Sequence, residues 1–344
     1  MINRLLPMVP APMTAKRPFT VGITALVPPE IVYGAGWYPM DVNNWIPGSD
    51  ARPRSKLCAW TASWREAILK GALKMDALVV VAGGDCHNAL ADGQVASRKV
   101  ARTHFFFYPF DGDAGYLKQQ LMALEDFLGE GRSAKRDPAH RRRALERVAA
   151  VKGLGMRLDR ARSDGKADPE RTFRLLVSCS DLEGDPVAFE RKVRAGLEAV
   201  APPPAAERPR VALIGVPPIY HDFHKVCAES GLQVVFDELP YEFLRLGGRD
   251  IGSLARSYST YTFARPVEYR LDFLKRELRR RKVDGVIHYA QFTCHHLLED
   301  CLLREELDWP MLTVQGDLPG GTPAQARLRL EAFGELLGAK KGAP

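Results

Sequence analysis

The stretch DALVVVAGGDCHNALADGQ, residues 76–94, is matched by DGVIHYAQFTCHHLLEDCL, residues 284–302. In both, an apolar run of buried-strand type follows an aspartate. A cysteine comes ten positions after that aspartate, and then a histidine and a helical stretch. Two such units in one chain mark an internal repeat. Upstream, VGITALVPPEIVYGAGWYPMDV from Val21 and VALIGVPPIYHDFHKVCAESGLQVVFDE from Val211 read alike: strand, paired prolines, helix, glycine, strand. Proline suits a first helical turn because its missing N–H has no intrahelical partner there, so Pro28-Pro29 and Pro217-Pro218 are expected to open helices. Gly36 and Gly231 are expected to end them. Downstream, THFFFYPFD (103–111) and WPMLTVQGD (309–317) add one more strand to each copy.

Strands separated by helices predict parallel βαβ units. The predicted fold class is therefore α/β, with two similar doubly wound parallel-sheet domains facing a cleft and a helical insertion between them. The expected divisions are a first α/β domain over 17–115, a helical insertion over 116–200 and a second α/β domain over 207–344. Pro202–Pro204 read as an extended linker between them. Within the insertion, RLLVSCSD around Cys179 reads as strand-like. The closing helix, Pro323 to Leu337, is expected to pack on the second sheet or back onto the first.

The 344 residues exceed one typical core, and 46% hydrophobic with 26% charged residues is an ordinary globular balance. No apolar run approaches the roughly 20 residues that cross a bilayer. Met1 to Lys16 lacks the apolar core and cleavage site of a signal peptide, so a cytoplasmic location is expected, with no membrane contact. The formal charge of +7 raises the question of nucleic acid. Lys135, Arg136, Arg141–Arg143 and Arg279–Lys282 nevertheless carry no binding signature and no interleaved aromatics. They are expected to form solvated helix faces, with no nucleic-acid partner.

Six cysteines in a reducing compartment call for metal, catalysis or burial rather than disulfides. Cys86 and Cys294 sit at equivalent carboxyl ends of strands, where open α/β sheets bind ligands. Cys58, in SKLCAWTASWRE, is expected at a helix N-terminus on the same sheet edge, where thiolate is favoured. Sulfur-rich ligation selects zinc or iron–sulfur clusters. A Cys3His zinc site completed by His87 or His295 stays open at this point. Cys227 is expected in the core, and Cys301 lies too far along its helix to join Cys294.

Taken together, VGITALVPPEIVYGAGWYP, the three cysteines in their contexts, VDGVIHYAQFTCHH and GDLPGGTPAQARLRLEAFGELL resemble the cluster-binding subunits of 2-hydroxyacyl-CoA dehydratases and class I benzoyl-CoA reductases. The resemblance implies a [4Fe–4S] cluster on Cys58, Cys86 and Cys294. It implies single low-potential electrons from an ATP-dependent activator protein, an acyl-CoA substrate, anaerobic radical chemistry and a lyase reaction through a ketyl radical. A reductase, or a non-catalytic electron-transfer or scaffold subunit, is the alternative it leaves. It also implies a dimer, either with a paralogous cluster subunit or with a second copy. Related double-cubane proteins carry further cysteines where this chain has Ala25, Tyr258, Thr260 and Tyr261, which favours a single cubane. His87 and His295 stand where dehydratase relatives commonly carry an acidic residue.

Glu30, His87 and His295 are the candidate catalytic groups. Glu30 reads either as a general base or as an acid matched to a helix dipole. The histidines read as proton carriers or as hydrogen-bond donors to cluster sulfur. A two-lobed binding protein with structural zinc is the reading outside this family.

Overall fold

The computed structural model describes residues 19–46, 58–130, 138–202 and 208–342. Met1–Lys16, Lys135, Arg136 and most of the linker, including Pro203 and Pro204, lie outside the described residues. The first half runs β1 (Thr20–Ile23), α1 (Pro29–Gly34), β2 (Tyr38–Asp41), α2 (Ala59–Leu69), β3 (Ala77–Gly83), α3 (His87–Ser97) and β4 (Thr103–Phe107). Four helices follow: α4 (Ala114–Gly129), α5 (Pro138–Ser163), α6 (Pro169–Val177) and α7 (Pro186–Glu198). The second half runs β5 (Arg210–Gly215), α8 (Phe223–Glu229), β6 (Gln233–Asp237), α9 (Glu238–Glu242), α10 (Ile251–Tyr258), α11 (Val267–Arg280), β7 (Gly285–Gln291), α12 (Asp300–Glu306), β8 (Met311–Gly316) and α13 (Ala324–Gly342).

Both sheets are wholly parallel and share one order, β2-β1-β3-β4 and β6-β5-β7-β8. The two α/β domains are thus built alike. The order reverses beside β1 and β3, and beside β5 and β7, so their carboxyl ends flank a crevice in each half. The central strands β3 and β7 are buried nearly throughout, as their unbroken apolar runs require of parallel strands covered on both faces.

Pro28 caps α1 and Pro29 occupies its first turn. Gly36 and Gly231 adopt positive φ after their helices. Pro217-Pro218 depart from expectation, because α8 begins only at Phe223. The segment between them docks on the chain's closing loop instead: Tyr220 bridges Gly320, and Asp222 accepts from Thr322 N–H at 2.7 Å. Cys179 also departs from the strand reading; it lies in a 3-10 turn, Ser178–Ser180, that continues α6. Arg281 is no solvated face, being buried against Asp159 at 2.6 Å.

The helices between the sheets tie both halves together. α5 packs on α1 of the first half and β6 of the second. One apolar cluster joins the first sheet, α4–α7 and the segment Tyr258–Ala264, and a second joins the opposite faces of both sheets through Trp64, Ile219 and Tyr289. α13 lies on the second sheet, with Leu337 and Phe333 against Gly285.

A buried carboxyl pair closes the join between β2 and the helical segment. Asp181 accepts from the Asp41 backbone N–H at 2.8 Å, and Tyr33 donates to the Asp181 carbonyl at 2.7 Å. Burial, and then the neighbouring Asp41 charge, push the Asp181 carboxyl up to about 7. Between its ordinary value and 7 the folded protein keeps a proton that the unfolded chain has released. This contribution is therefore fully present at pH 4 and fades as pH rises to 7. We expect the unfolding free energy to fall by about 3 kcal/mol over that range relative to Asp181→Asn, whose profile should be flatter. Urea titrations of both proteins at pH 4.5 and 7 check this; parallel profiles would refute it.

Candidate functional site

All three singled-out cysteines stand at the N-cap of a helical turn, two in the first half and one in the second. Cys58 caps α2, Cys86 caps α3, and Cys294 caps the 3-10 turn His295–Glu299. Their carbonyls accept the opening helical hydrogen bonds, from Ala62, Leu90 and Leu297 N–H respectively. The Cys86 thiol accepts from Ala89 N–H at 3.4 Å. All three are free, with Cys58 and Cys294 buried and Cys86 half-buried.

Helix N-termini favour thiolate, but burial outweighs them here. Burial pushes the Cys58 thiol up, and it pushes Cys294 up to about 12. Cys86 is driven well above its ordinary value by burial, then by the charges of Cys58, Asp85 and Cys294. The three sulfurs thus lie within electrostatic reach of one another. Forming several thiolates together needs a compensating positive charge.

The two halves meet around these thiols. Asn88 donates to the Thr293 carbonyl at 3.1 Å, and the His87 and His295 rings pack edge to face at 4.7 Å. Beneath them, Tyr261 of the second half donates to Asp85 at 3.1 Å. Gly84, at φ 85°, lets the segments close: a Cβ there would stand 2.9 Å from Tyr108 Cβ and 3.2 Å from Ala264 Cβ. Asp85, directly before Cys86, is buried, and burial pushes its carboxyl up to about 7.

His87 is exposed at the rim, whereas His295 is partly buried and its imidazole is pushed down to about 3 by burial and by the two neighbouring histidines. The His295 ring lies tilted at 4.0 Å from that of His296, which is buried and likewise pushed down by burial. His288 sits within β7 with Nδ1 at 2.7 Å from Asp300. Cys227 is in the core, and Cys301 is exposed on α12.

Glu30 lies apart from this seam. Its Oε1 accepts from Lys152 at 2.8 Å and its Oε2 from Tyr258 at 3.0 Å, all three side chains being buried. A general base needs an accessible lone pair, and both Glu30 oxygens are engaged in holding three elements together.

Several buried polar atoms near the cysteines in sequence have no hydrogen-bond partner: Trp60 Nε1, Ser63 Oγ, Trp64 Nε1, Gln291 Oε1, His295 Nδ1 and His296 Nε2. Each such orphan costs about 1–3 kcal/mol unless something bound satisfies it. Among the described residues, no three His, Cys, Asp or Glu side chains are grouped to grip a single metal ion.

Asp85, Tyr261 and His296 are the site residues to which sequence reasoning gave no role. Only adjacency to a repeated cysteine pointed to Asp85 and His296, and Tyr261 was singled out only as standing where related proteins carry cysteines.

A family model described as 2-hydroxyglutaryl-CoA dehydratase, D-component, matches residues 24–337. No curated protein matches the chain. Among solved structures the chain is similar to one titled as the SBP FpvC in complex with Ni2+ ion from P. aeruginosa. The two are 11% identical, with 95% of this chain and 99% of that one covered, and the TM-score of 0.23 is too low to carry any argument.

Proposed function

The chain belongs to the 2-hydroxyglutaryl-CoA dehydratase D-component family, and on that footing we propose that it is the [4Fe–4S]-binding subunit of a 2-hydroxyacyl-CoA dehydratase. What supports this reading is that Cys58, Cys86 and Cys294 are free N-cap thiols from both halves whose charges act on one another. A polynuclear cationic core suits that set. It neutralises thiolates that would otherwise repel, and it reaches sulfurs spaced more widely than the ligands of a single ion.

Cys58, Cys86 and Cys294 would hold the cluster, leaving one iron without protein sulfur. When bound, such a cluster supplies the single low-potential electrons that ketyl-type loss of a 2-hydroxyl requires, with an ATP-dependent activator as their source. The chain's own groups do the rest. Backbone N–H groups at the three helical turns soften the thiolates' charge. His87 and His295 close the seam over them from opposite halves, and burial, which disfavours the charged form of the His295 ring, lets it donate or accept without adding charge. The acyl-CoA would enter at this seam, with a paralogous subunit or a second copy completing the complex.

Anaerobically purified protein is expected to be brown, with about four irons and four sulfides per chain. Colourless protein carrying stoichiometric zinc would end the proposal.

A further inference from the structure

Asp85 and Thr293 occupy equivalent places in the repeat, each directly before a strand-end cysteine. Each is also held by a side chain from the opposite half. Tyr261, buried, reaches out of the second half to donate to Asp85 Oδ1 at 3.1 Å. Asn88, two residues beyond Cys86, donates from Nδ2 to the Thr293 carbonyl at 3.1 Å. The two bonds cross the join in opposite directions, one serving the Cys86 turn and the other the Cys294 turn.

Both turns need such support. The Cys294 N–H donates to the Gln291 carbonyl at 2.9 Å, closing a four-residue turn with Thr293 in third place. Thr293 adopts φ 64° there, in the left-handed region that suits glycine or asparagine and strains a β-branched residue. A strained residue persists only where its surroundings hold it, and the Asn88 bond fixes its carbonyl. In the first half Gly84 takes the positive φ, and Asp85 is drawn between the Leu26 N–H and the Tyr261 hydroxyl. That hydroxyl can bond the carboxyl whichever of the two groups carries the proton. Tyr261 is itself packed in the first half's core, its ring 5.2 Å from that of Tyr108. The Cys58 turn differs, being closed from its own helix by Thr61 Oγ1, 3.3 Å from the Cys58 carbonyl.

We propose that Tyr261 and Asn88 are crossed positioning residues. Each holds, from one half, the turn that carries the other half's cysteine, so Cys86 and Cys294 keep their places only while the halves stay closed on one another. What those cysteines bind rests on the dehydratase reading; the crossed clamp stands apart from it.

Amide hydrogen exchange of the full-length chain, purified anaerobically, tests the crossing, with Tyr261→Phe and Asn88→Ala each removing one bond. Tyr261→Phe is expected to speed exchange at Ala89 and Leu90, whose N–H groups close the Cys86 turn, by about tenfold, the loss of one hydrogen bond. Asn88→Ala should do the same at Cys294 and Leu297, in the half to which it does not belong. Ala62, in the Cys58 turn, should exchange as in wild type in both. Faster exchange spread over all three turns means general loosening and overturns the proposal, as does an unchanged target turn in either variant. Should Tyr261→Phe fail to fold, Asn88→Ala decides alone. Where iron is bound, both variants should also lose it to an anaerobic chelator faster than wild type, and equal release overturns the positioning role. Iron-free wild type ends the dehydratase reading, while the exchange pattern still decides the clamp.

Discussion

Alanine in place of Cys86 should leave the protein colourless, with iron falling from about four atoms per chain to less than about one. Cys86 is flanked by the charges of both other thiols, and it alone of the three has a thiol that accepts a helix N–H, from Ala89. Removing it would leave two of the three proposed ligands, Cys58 and Cys294, and no third sulfur to anchor a cubane. Cys58→Ala and Cys294→Ala should behave alike, since each comes from its own loop. Cys301→Ser is the control: that thiol is exposed on α12 and should leave iron unchanged. Because a cluster binds the folded chain and not the unfolded one, its loss should also lower the thermal midpoint. Iron and sulfide analysis with absorbance spectra checks all four proteins, and full iron retention in Cys86→Ala would sink the ligand assignment.

Lys152→Met should destabilise the chain by about 3–5 kcal/mol, the cost of leaving a buried carboxylate unpaired. Lys152 comes from α5, Glu30 from α1 and Tyr258 from α10, so one contact joins the helical segment to both halves. Burial and the Glu30 charge hold the Tyr258 hydroxyl well above its ordinary value, so it stays a donor. Replacing both ions, as Lys152→Met with Glu30→Gln, should recover a good part of the loss, because no charge is then stranded. Denaturant unfolding of the two single variants and the double variant gives the coupling. A single-variant cost below about 1 kcal/mol would show that water reaches Glu30, and would restore it as a candidate base.

Much of the site was open to reading from local pattern. The aspartate-to-cysteine spacing repeats because both halves use the same strand, turn and helix start. Once β3 and β7 are central strands, Cys86 and Cys294 must leave the sheet at equivalent edges. Cys58 followed from its place before an apolar helix. Cys179 misled because apolar residues at 175–177 suit a strand as well as a short helix, and packing against α5 and α7 settled it. Pro217-Pro218 misled because the pattern shared with Pro28-Pro29 ends where the second copy must dock on Gly320 and Thr322. Arg281 looked like surface because its partner, Asp159, lies 122 positions away.

The chain's own residue order, then, determined the doubled α/β architecture and the placing of three cysteines at helix starts, since each follows from short-range periodicity and capping chemistry. Tertiary structure alone decided that Glu30 is locked to Lys152 and Tyr258, that Tyr261 reaches Asp85 across the seam, and that His296 is buried while His87 is exposed. Those outcomes depend on burial and on partners brought together from distant segments, and charge interactions of that kind leave no periodic trace in sequence.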